Sequence, residues 1–303
     1  MSIAILFPGQ GAQNVGMGSG LLERSSIARE LFLEASEILG FDITELCTKG
    51  PENKIHKTEF SQPALFVHSY AAFKQLEVEQ PDLIEAVSCF AGLSLGEYTA
   101  VAAAGGLKFA DGVRLVRLRG QAMQAAADAT PSAMTSVLGM EEEKLRDVCK
   151  RVSSEDSYVR LANLLCPGNI AISGHTSAIE SAEAECAAAG AMKTIRLQVA
   201  GAFHTEIMRP AVEPLETALR DTEFLKTTKP VYSNVDAAPH AAADEIRNLL
   251  AKQVVSPVLW EASLRALTGR PGVEKCMEVG TGRVLAGTLK RVSRKFPCEN
   301  YGD

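Results

Sequence analysis

The stretch that most constrains the fold of this chain is Phe90–Glu97, with the sequence FAGLSLGE. A run that favours a β-strand, residues 86–91, precedes its serine, and a run that favours an α-helix, residues 97–104, follows. A Gly-x-Ser-x-Gly sequence between a strand and a helix is typical of a nucleophile elbow, because two glycines relieve the crowding at a sharp turn. Ser94 is therefore a candidate nucleophile at a helix N-terminus, where free N–H groups can stabilise an oxyanion. The alternative, a Gly-rich turn with an ordinary serine, stays open on this motif alone.

The composition limits the class of protein. The chain has 303 residues, of which 46% are hydrophobic and 22% are charged, as in an ordinary globular enzyme. A net charge of −6 and the lack of a Lys/Arg block argue against a nucleic-acid partner. No apolar run reaches the roughly 18 residues of a membrane span, so we expect no membrane association.

The seven cysteines include no Cys-x-x-Cys pair, which favours a reducing compartment, and we expect the cytoplasm. No cluster of metal-ligating residues occurs in the sequence. We therefore expect neither a metal ion nor a bound cofactor.

The order of predicted strands and helices indicates a large domain interrupted by a small one. Strands alternate with helices along residues 1–129 and again along residues 200–303, which predicts an α/β sheet for the large domain. Residues 130–199 instead predict the order β-α-β-β-α-β, a ferredoxin-like small domain. Single helices are predicted over residues 20–39, 64–79 and 205–219, and the second of these has Ser61 as its cap and Pro63 in its first turn.

Arg119 lies on the apolar face of a helix predicted over residues 111–127. At about 100° per residue it shares that face with Leu115 and Met123. A buried cation needs a partner, and no Asp or Glu lies within one helical turn, Glu97 being more remote in sequence. Two interpretations stay open: a bound anionic substrate, or a structural ion pair with a distant carboxylate. His204 follows directly after the inserted segment, where we expect an interdomain cleft.

Short motifs in a fixed order cover nearly the whole chain. They are PGQGAQ (8–13), QPALF (62–66), GLSLGE (92–97), RGQAMQ (119–124), AFH (202–204) and EVGTG (278–282). As an ordered set they resemble the malonyl-CoA:acyl carrier protein transacylase family. The resemblance implies an α/β-hydrolase-like large domain with an inserted ferredoxin-like small domain.

The resemblance also implies the catalytic roles. Ser94 matches the nucleophile that becomes acylated, and His204 matches the general base. Gln10 and Leu95 match the positions whose backbone N–H groups form the oxyanion hole. Gln253 matches the residue whose backbone carbonyl orients the histidine, so the scheme needs no acidic third member.

Other matched positions concern the acyl group. Arg119 matches the arginine that holds the malonyl carboxylate. Phe203 resembles the residue found in malonyl-selective members, and we predict malonyl over methylmalonyl. Leu93 departs from the family, which mostly has histidine there; the reaction should survive, but the polarity of the pocket should differ.

The partners implied are malonyl-CoA and an acyl carrier protein, with no nucleic acid and no membrane, and we expect a monomer. The carrier is acidic, so docking requires a local basic patch. Candidates are Lys193 and Arg196 on the small domain and, near the C-terminus, Lys290, Arg291, Arg294 and Lys295; an ordinary solvated face is the alternative for both. The lack of fused modules favours fatty-acid over polyketide synthesis. A serine hydrolase and an inactive carrier-binding scaffold are the competing hypotheses.

Overall fold

The computed structural model describes residues 2–302, which form two β-sheets with helices packed around them. The strands, in chain order, are β1 (Ser2–Phe7), β2 (Val87–Gly92), β3 (Ser132–Leu138), β4 (Val159–Cys166), β5 (Asn169–His175), β6 (Lys193–Arg196), β7 (Val231–Tyr232), β8 (Pro239–His240), β9 (Val273–Gly280) and β10 (Cys298–Gly302).

The helices lie between these strands, and none within residues 2–302 is long and apolar enough to cross a membrane. They are α1 (Ser19–Arg24), α2 (Ser26–Leu39), α3 (Ile43–Lys49), α4 (Glu52–Ile55), α5 (Thr58–Glu79), α6 (Pro81–Glu85), α7 (Leu95–Ala103), α8 (Phe109–Ala129), α9 (Glu142–Val152), α10 (Thr176–Ala188), α11 (Val212–Asp221), α12 (Ala243–Gln253), α13 (Trp260–Thr268) and α14 (Val284–Val292). A 3₁₀ helix, Glu206–Ala211, leads directly into α11.

The larger sheet has the strand order β10-β9-β1-β2-β7-β8, and its strand pairs are parallel except for the one with the short β8. β1 is a continuous apolar segment because helices cover both faces of the sheet. Ile5 and Phe7 face one buried cluster, whereas Ala4 and Leu6 face another that includes Trp260. The predicted α/β class is confirmed, but β8 and β10 were not predicted. β10 is a half-exposed edge strand, so it lacks an apolar pattern.

The smaller sheet lies within residues 132–196 and is fully antiparallel, with the order β4-β5-β3-β6. With α9 and α10 this gives the predicted β-α-β-β-α-β order of a ferredoxin-like unit. The boundaries at residues 130 and 199 stay a prediction.

The helix predicted over residues 20–39 is wrong, because α1 and α2 replace it. Ser25 between them is extended, with φ −118° and ψ 117°, and its hydroxyl accepts a hydrogen bond from the N–H of Ala28 at 2.9 Å. A serine N-cap competes with a continuous helix. The apolar periodicity still runs across the break because Leu21 and Phe32 enter the same core.

The second predicted helix begins earlier than expected, since α5 starts at Thr58. Ser61 is therefore not its cap, and Pro63 lies beyond its first turn. Proline has no N–H, so the carbonyl of Glu59 loses its donor within the helix. Arg117 of α8 supplies the missing hydrogen bond at 2.8 Å. The helix predicted over residues 205–219 is likewise wrong, because a 3₁₀ segment that contains Pro210 occupies its first half.

The two sheets are joined by contacts as well as by the chain. Val258 N–H donates to the carbonyl of Ala162 at 2.7 Å, and Leu164 N–H donates to the carbonyl of Val258 at 3.0 Å, so β4 is fastened to the segment before α13. Ala162 and Ala171 of the small sheet also belong to the main core cluster. These contacts fix the small sheet against the large domain.

Candidate active site

The serine turn has the geometry expected of a nucleophile elbow. β2 ends at Gly92 and α7 begins at Leu95, and Ser94 between them has φ 50° and ψ −102°. A Cβ atom at Gly92 would lie 2.0 Å from the backbone of Gly96, and one at Gly96 would lie 2.2 Å from the carbonyl oxygen of Phe7. Neither glycine can carry a side chain unless the backbone moves.

The hydroxyl of Ser94 lies beside the imidazole of His204. The Ser94 Oγ to His204 Nε2 distance is 2.9 Å, and His204 Nδ1 lies 2.9 Å from the backbone carbonyl of Gln253. A carbonyl oxygen can only accept, so Nδ1 carries the proton and Nε2 is the acceptor for the serine O–H. Within residues 2–302 no carboxylate makes an ion pair or hydrogen bond with His204, which leaves the carbonyl as the orienting group.

Burial and, to a smaller extent, the nearby Arg119 cation together lower the pKa of His204 to about 4. The imidazole is therefore neutral at pH 7. A neutral imidazole with a free Nε2 can accept the proton of Ser94.

Two backbone N–H groups border this pair. Gly9 lies so close to Leu93 that a Cβ atom there would be 2.2 Å from the Leu93 carbonyl oxygen, so the loop after β1 is pressed against the elbow. That loop carries Gln10, and Leu95 is the first residue of α7. Among residues 2–302 no hydrogen bond takes up the N–H of either residue. Both donors are thus available to an oxyanion.

Arg119 is 1% exposed and touches the nucleophile. Its guanidinium donates to the side-chain oxygens of Gln62 at 2.8 Å and Gln253 at 3.0 Å, and it lies 3.2 Å from Ser94 Oγ. It also lies over the Tyr98 ring, 5.3 Å from the centroid. No carboxylate of the described chain comes within ion-pair distance, and Nε has no acceptor. Of the two open interpretations, the structural ion pair is not observed.

A cavity of about 70 Å³ lies over the serine, which is a volume suited to a short acyl group. Leu93 and Phe203 form part of its wall, so an apolar side chain occupies the place of the usual histidine. Its wall also includes the candidate catalytic and binding residues Gln10, Gln62, Ser94, Leu95, Arg119 and His204. Within residues 2–302 no group of three His, Cys, Asp or Glu side chains is placed to hold a metal ion.

A larger cavity, of about 650 Å³, also reaches His204. Its wall carries three cationic side chains, Arg146, Lys150 and Arg160. Such a wall is suited to phosphate groups.

The basic residues expected at a docking surface are not equivalent. Arg196 is paired in a bidentate manner with Glu183, at 2.9 and 2.8 Å, so its charge is already matched. Arg291 donates to the carbonyl of Pro167 at 2.8 Å and ties α14 to the small domain. Lys193 is exposed at the start of β6.

The two predicted basic patches are neighbours on one surface. A Cβ atom at Gly139 would lie 2.8 Å from Met192, and one at Gly168 would lie 3.3 Å from Arg291 and 3.7 Å from Gly139. Met192 is 82% exposed and adjoins Lys193. Cations of the small domain and of α14 therefore flank an exposed apolar side chain.

Three supporting residues escaped the sequence analysis. Asn234 accepts a hydrogen bond from Ser94 N–H at 2.6 Å and donates to the carbonyl of Gly92 at 2.8 Å. It follows β7, which pairs in parallel with β2, so both strands end at the same sheet edge. The place of Asn234 at the end of a predicted strand could have indicated that it lies near Ser94. Gln62 and Glu97 stand in quoted motifs, but nothing in the sequence shows which groups their side chains reach.

Comparison with known proteins agrees with the motif order. The sequence pattern of the family described as acyl transferase domain matches residues 5–293. A mitochondrial malonyl-CoA-acyl carrier protein transacylase of Homo sapiens is 42% identical over 94% of this chain and 76% of the relative. The malonyl CoA-acyl carrier protein transacylase of Bacillus subtilis is 40% identical over 97% of this chain and 91% of the relative.

A similar fold is found among solved structures. A malonyl-transacylase solved in complex with its type II PKS acyl-carrier protein has a TM-score of 0.95 and 36% identity, and the match covers 100% of this chain and 96% of the solved one.

Proposed function

The chain belongs to the acyl transferase domain family, and we propose that it moves a malonyl group from malonyl-CoA to the phosphopantetheine thiol of an acyl carrier protein. The group is carried on Ser94 between the two half-reactions. The observation that carries this proposal is a buried guanidinium without a carboxylate partner, 3.2 Å from a serine hydroxyl that also contacts a neutral histidine.

In the first half-reaction, Ser94 Oγ attacks the thioester carbonyl of malonyl-CoA, and His204 Nε2 takes the hydroxyl proton. The N–H groups of Gln10 and Leu95 stabilise the negative charge that develops on the carbonyl oxygen. The C–S bond then breaks, and the leaving CoA sulfur takes the proton from His204. Malonyl-Ser94 remains.

The second half-reaction runs through the same groups in the opposite direction. The phosphopantetheine thiol of the carrier gives its proton to His204 Nε2 and attacks the ester carbonyl. The same oxyanion donors serve, the C–O bond to Ser94 breaks, and Ser94 regains the proton. The products are malonyl-carrier protein and the free enzyme.

Arg119 selects the acyl group. A malonyl carboxylate can form a bidentate pair with its guanidinium, which places the thioester carbonyl beside Ser94. An acetyl group offers the buried guanidinium no carboxylate acceptor, so its free N–H groups stay unsatisfied, which is costly. Phe203 narrows the cavity around the acyl chain and favours malonyl over methylmalonyl, and Leu93 adds a second apolar side chain to the wall.

Two competing hypotheses have less support. A serine hydrolase does not require a buried arginine at the nucleophile, and ordinary α/β hydrolases use an acidic third member where this chain uses the Gln253 carbonyl. An inactive scaffold does not require the serine, histidine and arginine to be in contact. Their mutual distances of 2.9 and 3.2 Å favour an active transferase.

The surroundings of the site fit the two thioester partners. Lys150 and Arg160 provide positive charge for the phosphates of CoA in the larger cavity, whereas Arg146 is already paired with Glu142 at 2.6 Å. Lys193 and Arg291 near Met192, together with the exposed Lys290 next to Arg291 on α14, are called the basic surface, and this surface fits an acidic carrier. No metal or cofactor is required by the proposed chemistry.

We place the carrier in fatty-acid synthesis and the protein, as a monomer, in the cytoplasm. All seven cysteines are free thiols, as suits a reducing compartment.

Intact-mass spectrometry tests the function. Brief incubation with malonyl-CoA alone should add one malonyl group to the wild-type protein and none to Ser94→Ala, and holo-carrier protein should remove it. Acetyl-CoA should label far more slowly. Consumption of malonyl-CoA without an adduct would indicate hydrolysis, and neither adduct nor turnover would favour the scaffold.

A further inference from the structure

One buried carboxylate behind the elbow has no part in the reaction as written. Glu97 is the third residue of α7 and is 2% exposed. An acidic residue there often bonds to the N–H of the cap residue of its own helix. Glu97 does not, because Ser94 N–H donates to Asn234 instead. Its carboxylate is directed into the space between the elbow and α12.

Both hydrogen-bond partners of that carboxylate hold the catalytic groups. Glu97 Oε2 accepts from the backbone N–H of Asn234 at 3.0 Å and from the side-chain amide of Gln253 at 2.7 Å. Asn234 fixes the backbone of Ser94. The carbonyl of Gln253 orients His204. One carboxylate oxygen therefore supports the nucleophile and the base together.

The amide of Gln253 also links Glu97 to Arg119. Its Nε2 donates to Glu97 and to the carbonyl of Ser94 at 3.0 Å, and its Oε1 accepts from Arg119 at 3.0 Å. Carbonyl and carboxylate oxygens only accept and a guanidinium only donates, so this network permits one amide orientation. Without the Glu97 acceptor, the Nε2 group of Gln253 keeps only one of its two hydrogen bonds, the one to the carbonyl of Ser94.

The charges around Glu97 are few. Arg119 faces it from α8, Tyr98 lies next to it on α7, and the Ser233 hydroxyl approaches it from the segment that follows β7. Arg119 is the only one of these that is positively charged at pH 7. A malonyl carboxylate on Arg119 would add a second negative charge to the same enclosed region.

We propose that Glu97 is a positioning residue, which holds Asn234 and Gln253 so that Ser94, His204 and Arg119 stay aligned, and that it is the counter-charge of Arg119 until the substrate carboxylate arrives. Burial raises the pKa of Glu97 to about 7, although its hydrogen bonds to Asn234 and Gln253 act against this shift. Protonation converts a double acceptor into a group that must also donate. Alignment should therefore weaken as the pH falls through 7.

The test uses a reagent that needs the serine and histidine but no malonyl group. Phenylmethanesulfonyl fluoride forms a bond from its sulfur to Ser94 Oγ and releases fluoride, while His204 takes the serine proton. The labelling rate is measured by intact mass between pH 5 and pH 9 for the wild type, Glu97→Gln and Glu278→Gln. Glu278 is the matched control, since it is also a buried carboxylate but bonds to the first N–H groups of α14.

For Glu97→Gln we expect labelling at pH 8 to slow by about 10- to 100-fold, the cost of a small misalignment of reacting groups. The wild type should show a step near pH 7 that Glu97→Gln lacks and Glu278→Gln keeps. With malonyl-CoA, kcat should fall for Glu97→Gln and KM should not rise, because Arg119 loses its internal counter-charge.

Wild-type rates without a step near pH 7, or equal labelling of Glu97→Gln and the wild type, would overturn the proposal. If Glu97→Gln does not fold, the wild-type and Glu278→Gln profiles together still test the proposal, because a step that Glu278→Gln removes would belong to Glu278. The proposal for Glu97 rests on the proposed function only where it involves malonyl binding, and sulfonylation tests the positioning role separately. If labelling depends on Glu97 but no malonyl adduct forms, the transferase function is refuted and Glu97 is still a positioning residue.

Discussion

At the scale of single residues, Arg119 decides which acyl group is accepted. Its two amide partners, Gln62 and Gln253, leave part of the guanidinium without an acceptor. A buried cation in that condition is stabilised most by an anionic ligand. Selectivity for a carboxylate thus follows because the protein supplies no acceptor for part of the Arg119 guanidinium.

Arg119→Ala should lower kcat/KM for malonyl-CoA by roughly 10- to 150-fold, the equivalent of about 1.5–3 kcal/mol for hydrogen bonds to a charged group. The rate with acetyl-CoA should rise relative to malonyl-CoA, because no unpaired cation remains. Arg119→Lys is the control, since it keeps the charge without the bidentate geometry. An unchanged malonyl-to-acetyl ratio in Arg119→Ala would contradict this role.

The pKa of His204 determines the lowest pH at which the enzyme is active. Burial and then the Arg119 cation lower its pKa to about 4, so the free enzyme should retain some activity well below pH 6.5 and lose the rest as the pH approaches 4. Removal of the cation in Arg119→Ala should raise the pKa and move this limb to higher pH. The rate of sulfonyl fluoride labelling as a function of pH measures this pKa. If the acidic fall of the rate occurs at the same pH in Arg119→Ala and the wild type, the charge of Arg119 does not affect the pKa of His204.

At the scale of elements, the turn from β2 to α7 depends on backbone contact with the end of β1. Gly96 lies in α7 against the carbonyl of Phe7, whereas Gly287 lies in α14 with open space around its Cβ position. The same substitution in two helices should therefore have opposite effects.

Gly96→Ala should destabilise the protein by about 1–3 kcal/mol, as overpacking does, and should abolish acylation because the oxyanion donors move apart. Gly287→Ala should stabilise it by up to about 1 kcal/mol through helix propensity. Chemical denaturation gives both free energies of unfolding. Equal effects of the two substitutions on the free energy of unfolding would mean that the backbone of the elbow can shift to make room for the alanine Cβ atom.

At the scale of the whole molecule, the small sheet packs against its own buried cluster, formed with α9 and α10, and also contributes residues to the main core. Its alanines Ala162 and Ala171 belong to the buried cluster of the large domain, and Val258 forms a bridge to β4. Calorimetry should therefore show one cooperative unfolding transition with equal calorimetric and van 't Hoff enthalpies. Two separable transitions would show that the small domain folds independently.

The basic surface should affect only the second half-reaction, in which the carrier protein binds. Lys193→Glu and Lys290→Glu should raise KM for the carrier protein and make it less dependent on salt, while acylation by malonyl-CoA stays unchanged. Separate assays of the two half-reactions measure this. A matching loss of acylation would place these lysines at the CoA site instead.

The sequence by itself determined the elements whose cause is local. Gly92 and Gly96 around Ser94 permit the sharp turn of the elbow, and apolar runs indicate all strands of both sheets except β8 and β10. Helix boundaries were predicted less well: Ser25, Ser61 and Pro63 have defined local preferences, but the hydrogen bond from Arg117 to Glu59 lets a helix continue through a proline.

Only the tertiary structure decided how the candidate residues meet. Ser94, Arg119, His204 and Gln253 come from separate parts of the chain, and their contacts are made by long-range packing that no local pattern records. Because of the same packing, the hydrogen-bond partners of Arg119 are amides rather than a carboxylate. It also places Glu97 in contact with Asn234 and Gln253, which hold Ser94 and His204. Residue types and turns follow from short-range sterics, whereas distances and charge environments depend on the assembled core.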